Sequence, residues 1–276
     1  MPAVETNGTE LEYIEQGSGD PVVFVHGTLG DYRSWELQMD VFAETYRAIS
    51  YSRRYHHPNQ CCGDRSDYSA VLHADDLAAL ITDLGHASAH VVGTSYGAYT
   101  ALLLATRHPE RVNALVLGDP PVLPLLGEMP EGRPFRDEFL ESVWKPAGAM
   151  AQRGEIESAI RVFVDGVVEE GAYDSFPSEV QDLIKQNACE FQVETSSPDF
   201  WTSFTCDEAR DVTTATLLLT GDRSLKMFQL IVDQLARCLP NNESMRVPET
   251  THLVNFDNPD AYNEIVLGFL ARHTGS

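Results

Sequence analysis

The sequence predicts an α/β fold, a mostly parallel sheet covered by helices on both faces, and three observations predict it. Short apolar, β-rich runs at residues 21–25, 47–51, 90–92, 114–117 and 214–220 alternate with helical patterns. Most of these runs are continuously apolar, as fits strands buried on both faces. In Val91-Val92-Gly93-Thr94-Ser95-Tyr96-Gly97-Ala98, one run passes straight into a helix through a Gly-x-Ser-x-Gly turn.

The chain has 276 residues, enough for one large domain with a full core or a core plus an insertion. Its hydrophobic content of 43% fits a globular protein, and no apolar run approaches the length needed to cross a bilayer. The net charge of −23 opposes binding to nucleic acid or to an anionic membrane. No export signal is visible at the N-terminus, so a cytoplasmic setting is expected. The five cysteines, Cys61, Cys62, Cys189, Cys206 and Cys238, are odd in number and lack metal-ligand spacing. With a cytoplasmic setting, they argue against a disulfide framework.

Residues 11–15 alternate like an edge strand, followed by a Gly-Ser-Gly-Asp turn. The buried strand 21–25 ends in His26-Gly27-Thr28-Leu29-Gly30. Residues 34–45 predict a helix with Trp35, Met39 and Phe42 facing the sheet. After the strand at 47–51, residues 52–68 are polar and rich in turn formers, and Leu77, Leu80, Ile81 and Leu84 mark a helix closed by Gly85. The helix after Ser95 stops at His108-Pro109, and the strand at 114–117 ends in Gly118-Asp119-Pro120-Pro121. Residues 120–134 carry five prolines, which argue against helix and central strand alike. Helices are then predicted over 135–150, 156–169 and 178–191, with a short one over 200–209. The sheet resumes at 214–220, followed by a helix over 225–238, a last strand at 244–247, a loop bearing His252 and a closing helix capped by Asn258-Pro259. The expected domains are a core of residues 1–120 and 211–276 and a helical cap of residues 121–210.

Gly93 and Gly97 remove side chains that would collide at a sharp strand-to-helix turn, leaving Ser95 Oγ exposed as a candidate nucleophile. A serine hydroxyl needs an imidazole base, itself held by a carboxylate. His252, after the last strand, is the candidate base. His26 reads as a structural hydrogen-bonder in its turn, and His73, His86, His90, His108 and His273 as surface or helix-end residues. The backbone N–H groups of Tyr96 and Thr28 are the candidate oxyanion donors.

These motifs resemble the α/β-hydrolase superfamily, in particular its cap-bearing members: esterases, lactonases, carbon–carbon bond hydrolases, haloalkane dehalogenases and epoxide hydrolases. The resemblance covers residues 11–84, 93–121 and 214–273, and it implies a helical cap inserted after the strand that follows the nucleophile. Serine at position 95 argues against the dehalogenase and epoxide-hydrolase branches, whose nucleophile is aspartate. The family commonly carries its acid three residues beyond a glycine after the penultimate core strand. That position is Ser224 here, with Asp222 nearby but out of register. Asp119, at the end of the strand after the elbow and followed by two prolines, resembles the acid of zearalenone-type lactonases and is preferred over Asp222.

The second departure from the family is the basic, aromatic loop Ser52-Arg53-Arg54-Tyr55-His56-His57-Pro58-Asn59. Its arginines either bind a substrate anion or pair with nearby acids. His56-His57 has no carboxylate at metal spacing in the sequence, so no metal and no cofactor are assigned. Leu29, Arg53, Tyr55, Leu125, Trp144 and Trp201 are the candidate substrate-binding residues. The function expected is a serine hydrolase cleaving a carboxylic ester or lactone of a medium-sized, largely apolar molecule, with water as second substrate. The alternative is a carbon–carbon bond hydrolase acting on a diketone or ring-fission product, its carboxylate gripped by Arg53 or Arg54. The chain is expected to act as a monomer or homodimer.

Overall fold

A computed structural model describes residues 1–61 and 68–273. Cys62 and the middle of the polar 52–68 segment lie outside the described residues. Eight strands form one sheet in the order β1-β2-β4-β3-β5-β6-β7-β8. They are β1 (Ala3–Thr6), β2 (Thr9–Gly17), β3 (Pro21–Val25), β4 (Arg47–Tyr51), β5 (Ala89–Thr94), β6 (Val112–Gly118), β7 (Thr216–Gly221) and β8 (Asn242–Val247). Pairing is antiparallel for β1–β2 and β2–β4 and parallel from β4 onward. The expected edge strand, β2, is therefore one position in, because the short β1 covers it.

Period-two alternation sends neighbouring strand residues to two separate cores. Val23, Val25, Val91, Leu115 and Leu117 pack with helices α2 (Ala70–Asp83) and α3 (Tyr96–Arg107). Val22, Phe24, Val92, Ala114 and Val116 pack on the other face against Trp35, Met39 and Phe42 of the α1 region (Glu36–Ala43) and against the closing helix.

Between β6 and β7 the chain inserts α4 (Leu123–Glu128), α5 (Arg133–Phe139), α6 (Lys145–Gln152), α7 (Ile156–Val167), α8 (Ala172–Ser175), α9 (Ser178–Gln186), α10 (Ala188–Glu194) and α11 (Cys206–Asp211). After β7 come α12 (Lys226–Cys238), α13 (Val254–Asp257) and α14 (Pro259–Leu270). The fold is thus a mostly parallel sheet flanked by helices, with a helical cap inserted after β6.

The proline-rich stretch does form helix, contrary to expectation. Pro124 and Pro134 sit in the first turns of α4 and α5, where the missing N–H costs nothing. The 178–191 helix breaks at Asn187 into α9 and α10, and the short helix near 200–209 begins only at Cys206, capped by Thr205 with Glu208 in a capping box. Disulfides were not expected, yet Cys61 is bonded to Cys189 and Cys206 to Cys238. Their separations, 128 and 32 residues, leave no local pattern to read. One ties the loop after β4 to α10, and the other ties α11 to α12.

Candidate active site

Ser95 sits between β5 and α3 with φ 50° and ψ −128°, a conformation that strains a non-glycine residue and aims its side chain out of the turn. The two glycines make the turn fit. A Cβ on Gly97 would lie 2.1 Å from the Val25 carbonyl oxygen, and one on Gly93 would lie 2.6 Å from that of Gly97. Ser95 N–H donates to the Gly118 carbonyl at 2.7 Å, tying the elbow to the end of β6.

His252 follows β8, and its ring stacks on Phe228 of α12 at 4.0 Å between centroids. Its Nε2 stands 3.0 Å from Ser95 Oγ, and its Nδ1 stands 3.3 Å from Asp119 Oδ2. Asp119 is fully buried, has φ 43° and is fixed through its N–H to the Leu219 carbonyl. Ser224 Oγ donates to the same Asp119 Oδ2 at 2.5 Å. The position that more often carries the family's acid thus holds a hydroxyl that supports the carboxylate here. Asp222 points elsewhere, accepting from Glu249 N–H and Thr250 N–H in the loop after β8.

Gly27 brings the turn after β3, which carries the candidate donor Thr28 N–H, against the elbow, since a Cβ there would lie 3.0 Å from Ser95 Cβ. Leu29 takes φ 60°, and Gly30 N–H closes the turn on the Gly27 carbonyl. Tyr96 opens α3, so its N–H is one of the donors that a helix start leaves without an intrahelical acceptor. Its ring is core, stacked on Phe200 at 4.1 Å.

His26 is the structural residue expected. Arg53 N–H donates to its Nε2 at 2.9 Å, so Nδ1 carries the proton and donates to the Gly27 carbonyl. Burial, with His56 and Arg53 alongside, holds its pKa well below the ordinary imidazole value. His73 and His90 are buried, not surface residues: α2 and β5 turn them into the two cores.

Ser95 and His252 open into a cavity of about 350 Å³, in the range of small-molecule sites. Gly27, Thr28, Leu29 and Ser34 line the core side, and Phe163, Val164, Val167, Phe176 and Ile184 line the cap side. Of the six candidate substrate-binding residues, only Leu29 is on this wall. Leu125 is fully buried, Tyr55 stacks on Tyr68, and Trp144 and Trp201 build an aromatic cluster with Phe200 that holds the cap together. Arg53 is fully buried behind the Gly27–Gly30 turn, and Arg54 is held by Asp76 in a two-point ion pair.

Sequence reasoning missed the acids that meet this basic loop. Asn187, Glu190 and Glu194 lie on one side of the α10 region at helical spacing, facing the core. Asn187 accepts from His57 N–H and donates to Asp31. His56 Nε2 stands 2.9 Å from Glu190 Oε1, and Tyr68 OH donates to Glu190 and Glu194. Both glutamates are fully buried, and burial raises both carboxyl pKa values, that of Glu194 further because of Glu190 beside it. His56, Glu190 and Glu194 are close enough to ligate a cation together, but the Arg53 guanidinium already supplies positive charge 3.5 Å from Glu194. The signal available was a pair of acids four residues apart on a helix otherwise marked by Phe191 and Val193.

Among proteins of known sequence, the chain is 29% identical over 138 residues to the uncharacterized hydrolase YraK of Bacillus subtilis, a match spanning 49% of this chain and 51% of that protein. It is 22% identical over 285 residues to epoxide hydrolase 3 of Mus musculus, spanning 98% of this chain and 76% of that one. Among solved structures, it superposes with a TM-score of 0.78 and 26% identity on one described as Est816, an N-acyl homoserine lactone degrading enzyme, covering 97% of this chain and 100% of that one. The model of the Alpha/beta hydrolase family matches residues 22–265. This chain belongs to the alpha/beta hydrolase family.

Proposed function

We propose that the protein is a serine hydrolase that cleaves a carboxylic ester or lactone bearing an apolar group. The observation that carries this reading is the line from Ser95 Oγ through His252 to Asp119, ending in a cavity walled by apolar cap side chains. In the mechanism, Ser95 attacks the carbonyl while His252 Nε2 takes its proton and Asp119 holds the imidazole from behind. The N–H groups of Thr28 and Tyr96 receive the developing oxyanion. His252 then protonates the leaving alkoxide, and water, activated by the same imidazole, releases the acid. In a lactone the leaving alkoxide stays attached to the acyl group, so the product is a hydroxy acid.

Within this class we favour a lactone. The support is the placement of Asp119 before two prolines, similar to zearalenone-type lactonases, and the similarity to a structure described as degrading N-acyl homoserine lactone. The carbon–carbon reading relied on Arg53 or Arg54 gripping a carboxylate, and both guanidiniums are engaged within the protein. Residues 1–120 with 211–276 serve as the catalytic core and 121–210 as the cap. Among the described residues, no helix is long and apolar enough to cross a membrane. A cytoplasmic setting sits poorly with the two disulfides, which persist in oxidising surroundings.

Hydrolysis rates on p-nitrophenyl esters of rising acyl length, on simple lactones and on N-acyl lactones test the reading. Turnover of a lactone series, lost in Ser95→Ala, is expected. Turnover of ring-fission diketones with none of esters or lactones would overturn it.

A further inference from the structure

The buried cluster behind the oxyanion turn bears on how that turn is aimed. The Gly27 carbonyl and the Thr28 N–H belong to one planar trans peptide, so they point in opposite directions. Fixing the carbonyl therefore fixes the amide. Gly27 O accepts from His26 Nδ1 at 2.9 Å, from Gly30 N–H at 3.3 Å and from Arg53 Nη2 at 3.3 Å. Arg53 Nε also donates to the His26 carbonyl at 3.1 Å, and its guanidinium lies over the ring of Tyr96, 5.1 Å from the centroid. Arg53 thus touches the segments carrying both proposed oxyanion donors from the side away from the cavity.

Arg53 is in turn held by the cap. Glu194, the last residue of α10, stands 3.5 Å from Arg53 Nη2, and its Oε1 accepts from Thr28 Oγ1 at 3.3 Å and from Tyr68 OH at 3.0 Å. Both side chains of the ion pair are fully buried, so the attraction between them is little screened by solvent. We propose that Arg53 and Glu194 are positioning residues: they clamp the Gly27–Thr28 peptide from behind, so that the oxyanion donor is aimed correctly only when α10 is docked on the core. This rests on the serine-hydrolase reading above. It gives the cap a second role beyond walling the cavity: α7 and α9 line the site, while α10 sets the electrostatics of the transition state. Arg53 donates no hydrogen bond to the substrate in this scheme.

The test measures kcat and KM on p-nitrophenyl butyrate, the inhibition constant of an alkylboronic acid whose tetrahedral serine adduct places an oxygen in the oxyanion hole, and the stoichiometry of Ser95 labelling by a fluorophosphonate. In Arg53→Met, kcat should fall about 10- to 100-fold and boronate affinity should fall with it, while KM stays within about threefold. Labelling should still reach one equivalent, and Arg53→Lys should recover part of kcat. Glu194→Gln keeps the shape of the carboxylate and should show the same split at about 3- to 10-fold, which serves if Arg53→Met does not fold. Unchanged kcat and boronate affinity in Glu194→Gln, or an Arg53→Met loss confined to KM, would overturn the clamp. Absence of Ser95 labelling in the unmodified protein would instead sink the hydrolase reading itself.

Discussion

The two walls of the cavity are built on different principles. On the core side, Ser95, Asp119 and Gly27 follow the ends of strands and are held by backbone. Ser95 is in a strained turn whose glycines cannot be replaced, Asp119 is tied to β7, and Gly27 packs against the elbow. On the cap side, Phe163, Val164, Val167 and Ile184 contribute apolar surface from α7 and α9, and Phe176 from the turn between α8 and α9. In the proposed function the core wall therefore carries the reaction and the cap wall the shape. In the proposed reaction the lining side chains of α7 and α9 meet the acyl or ring portion rather than the reacting bond, so substrate preference can change there without disturbing the chemistry.

The sharpest way to break this division is to remove the proposed nucleophile. Ser95→Ala should lower kcat/KM by about 10⁴-fold or more with the melting temperature unchanged, as read by ester hydrolysis and calorimetry. Moving the acid is the next largest effect. Asp119→Asn combined with Ser224→Asp should hydrolyse esters at least about 10-fold faster than Asp119→Asn alone, because Ser224 Oγ already lies 2.5 Å from the Asp119 oxygen that faces His252. On the cap wall, Val164→Phe should lower kcat/KM for the longer of two homologous acyl esters by about 10-fold relative to the shorter, with kcat on the shorter little changed.

The smallest effect concerns stability rather than turnover. His73 is buried and among the described residues neither of its ring nitrogens has a hydrogen-bond partner, and burial, with Arg53 nearby, holds its pKa well below 6.5. The unfolded chain binds a proton there below about pH 6.5 and the folded chain does not, so His73 subtracts stability as pH falls through that value. Glu190 and Glu194, with raised pKa values, act in the opposite sense as pH rises above the ordinary carboxylate range. Comparing variants isolates the histidine. His73→Phe should gain on the parent by up to about 1.4 kcal/mol per pH unit below pH 6.5, measured by urea unfolding at pH 7 and pH 5.5.

The same contrast explains what could be read from the sequence. Strands 21–25, 47–51, 90–92, 114–117 and 214–220 were legible because burial on both faces leaves short runs that are mostly apolar. Ser95 was legible because the elbow needs two glycines at fixed spacing. Asp119 was weighed against Asp222, and the choice turned on its place at the end of the strand after the elbow, before two prolines, with Asp222 out of register. Positions set by tertiary contact were not legible. Nothing local links Cys61 to Cys189, or Arg53 to Glu194, which is 141 residues away. The aromatic residues Trp144 and Trp201 looked like pocket and are cap core, since a helix pattern shows which face is apolar but not what that face meets. The pocket instead uses Val164 and Val167, one turn apart on α7, residues that any amphipathic helix would carry.

In the proposed mechanism Asp119, rather than Asp222, completes the line from Ser95 through His252. That assignment is tested most directly by kcat/KM of Asp119→Asn and Asp222→Asn on one p-nitrophenyl ester at pH 7.5. A loss of roughly 10²- to 10⁴-fold in Asp119→Asn with Asp222→Asn within about threefold of the parent is the predicted result. The reverse pattern, or near-parent activity in Asp119→Asn, would contradict it.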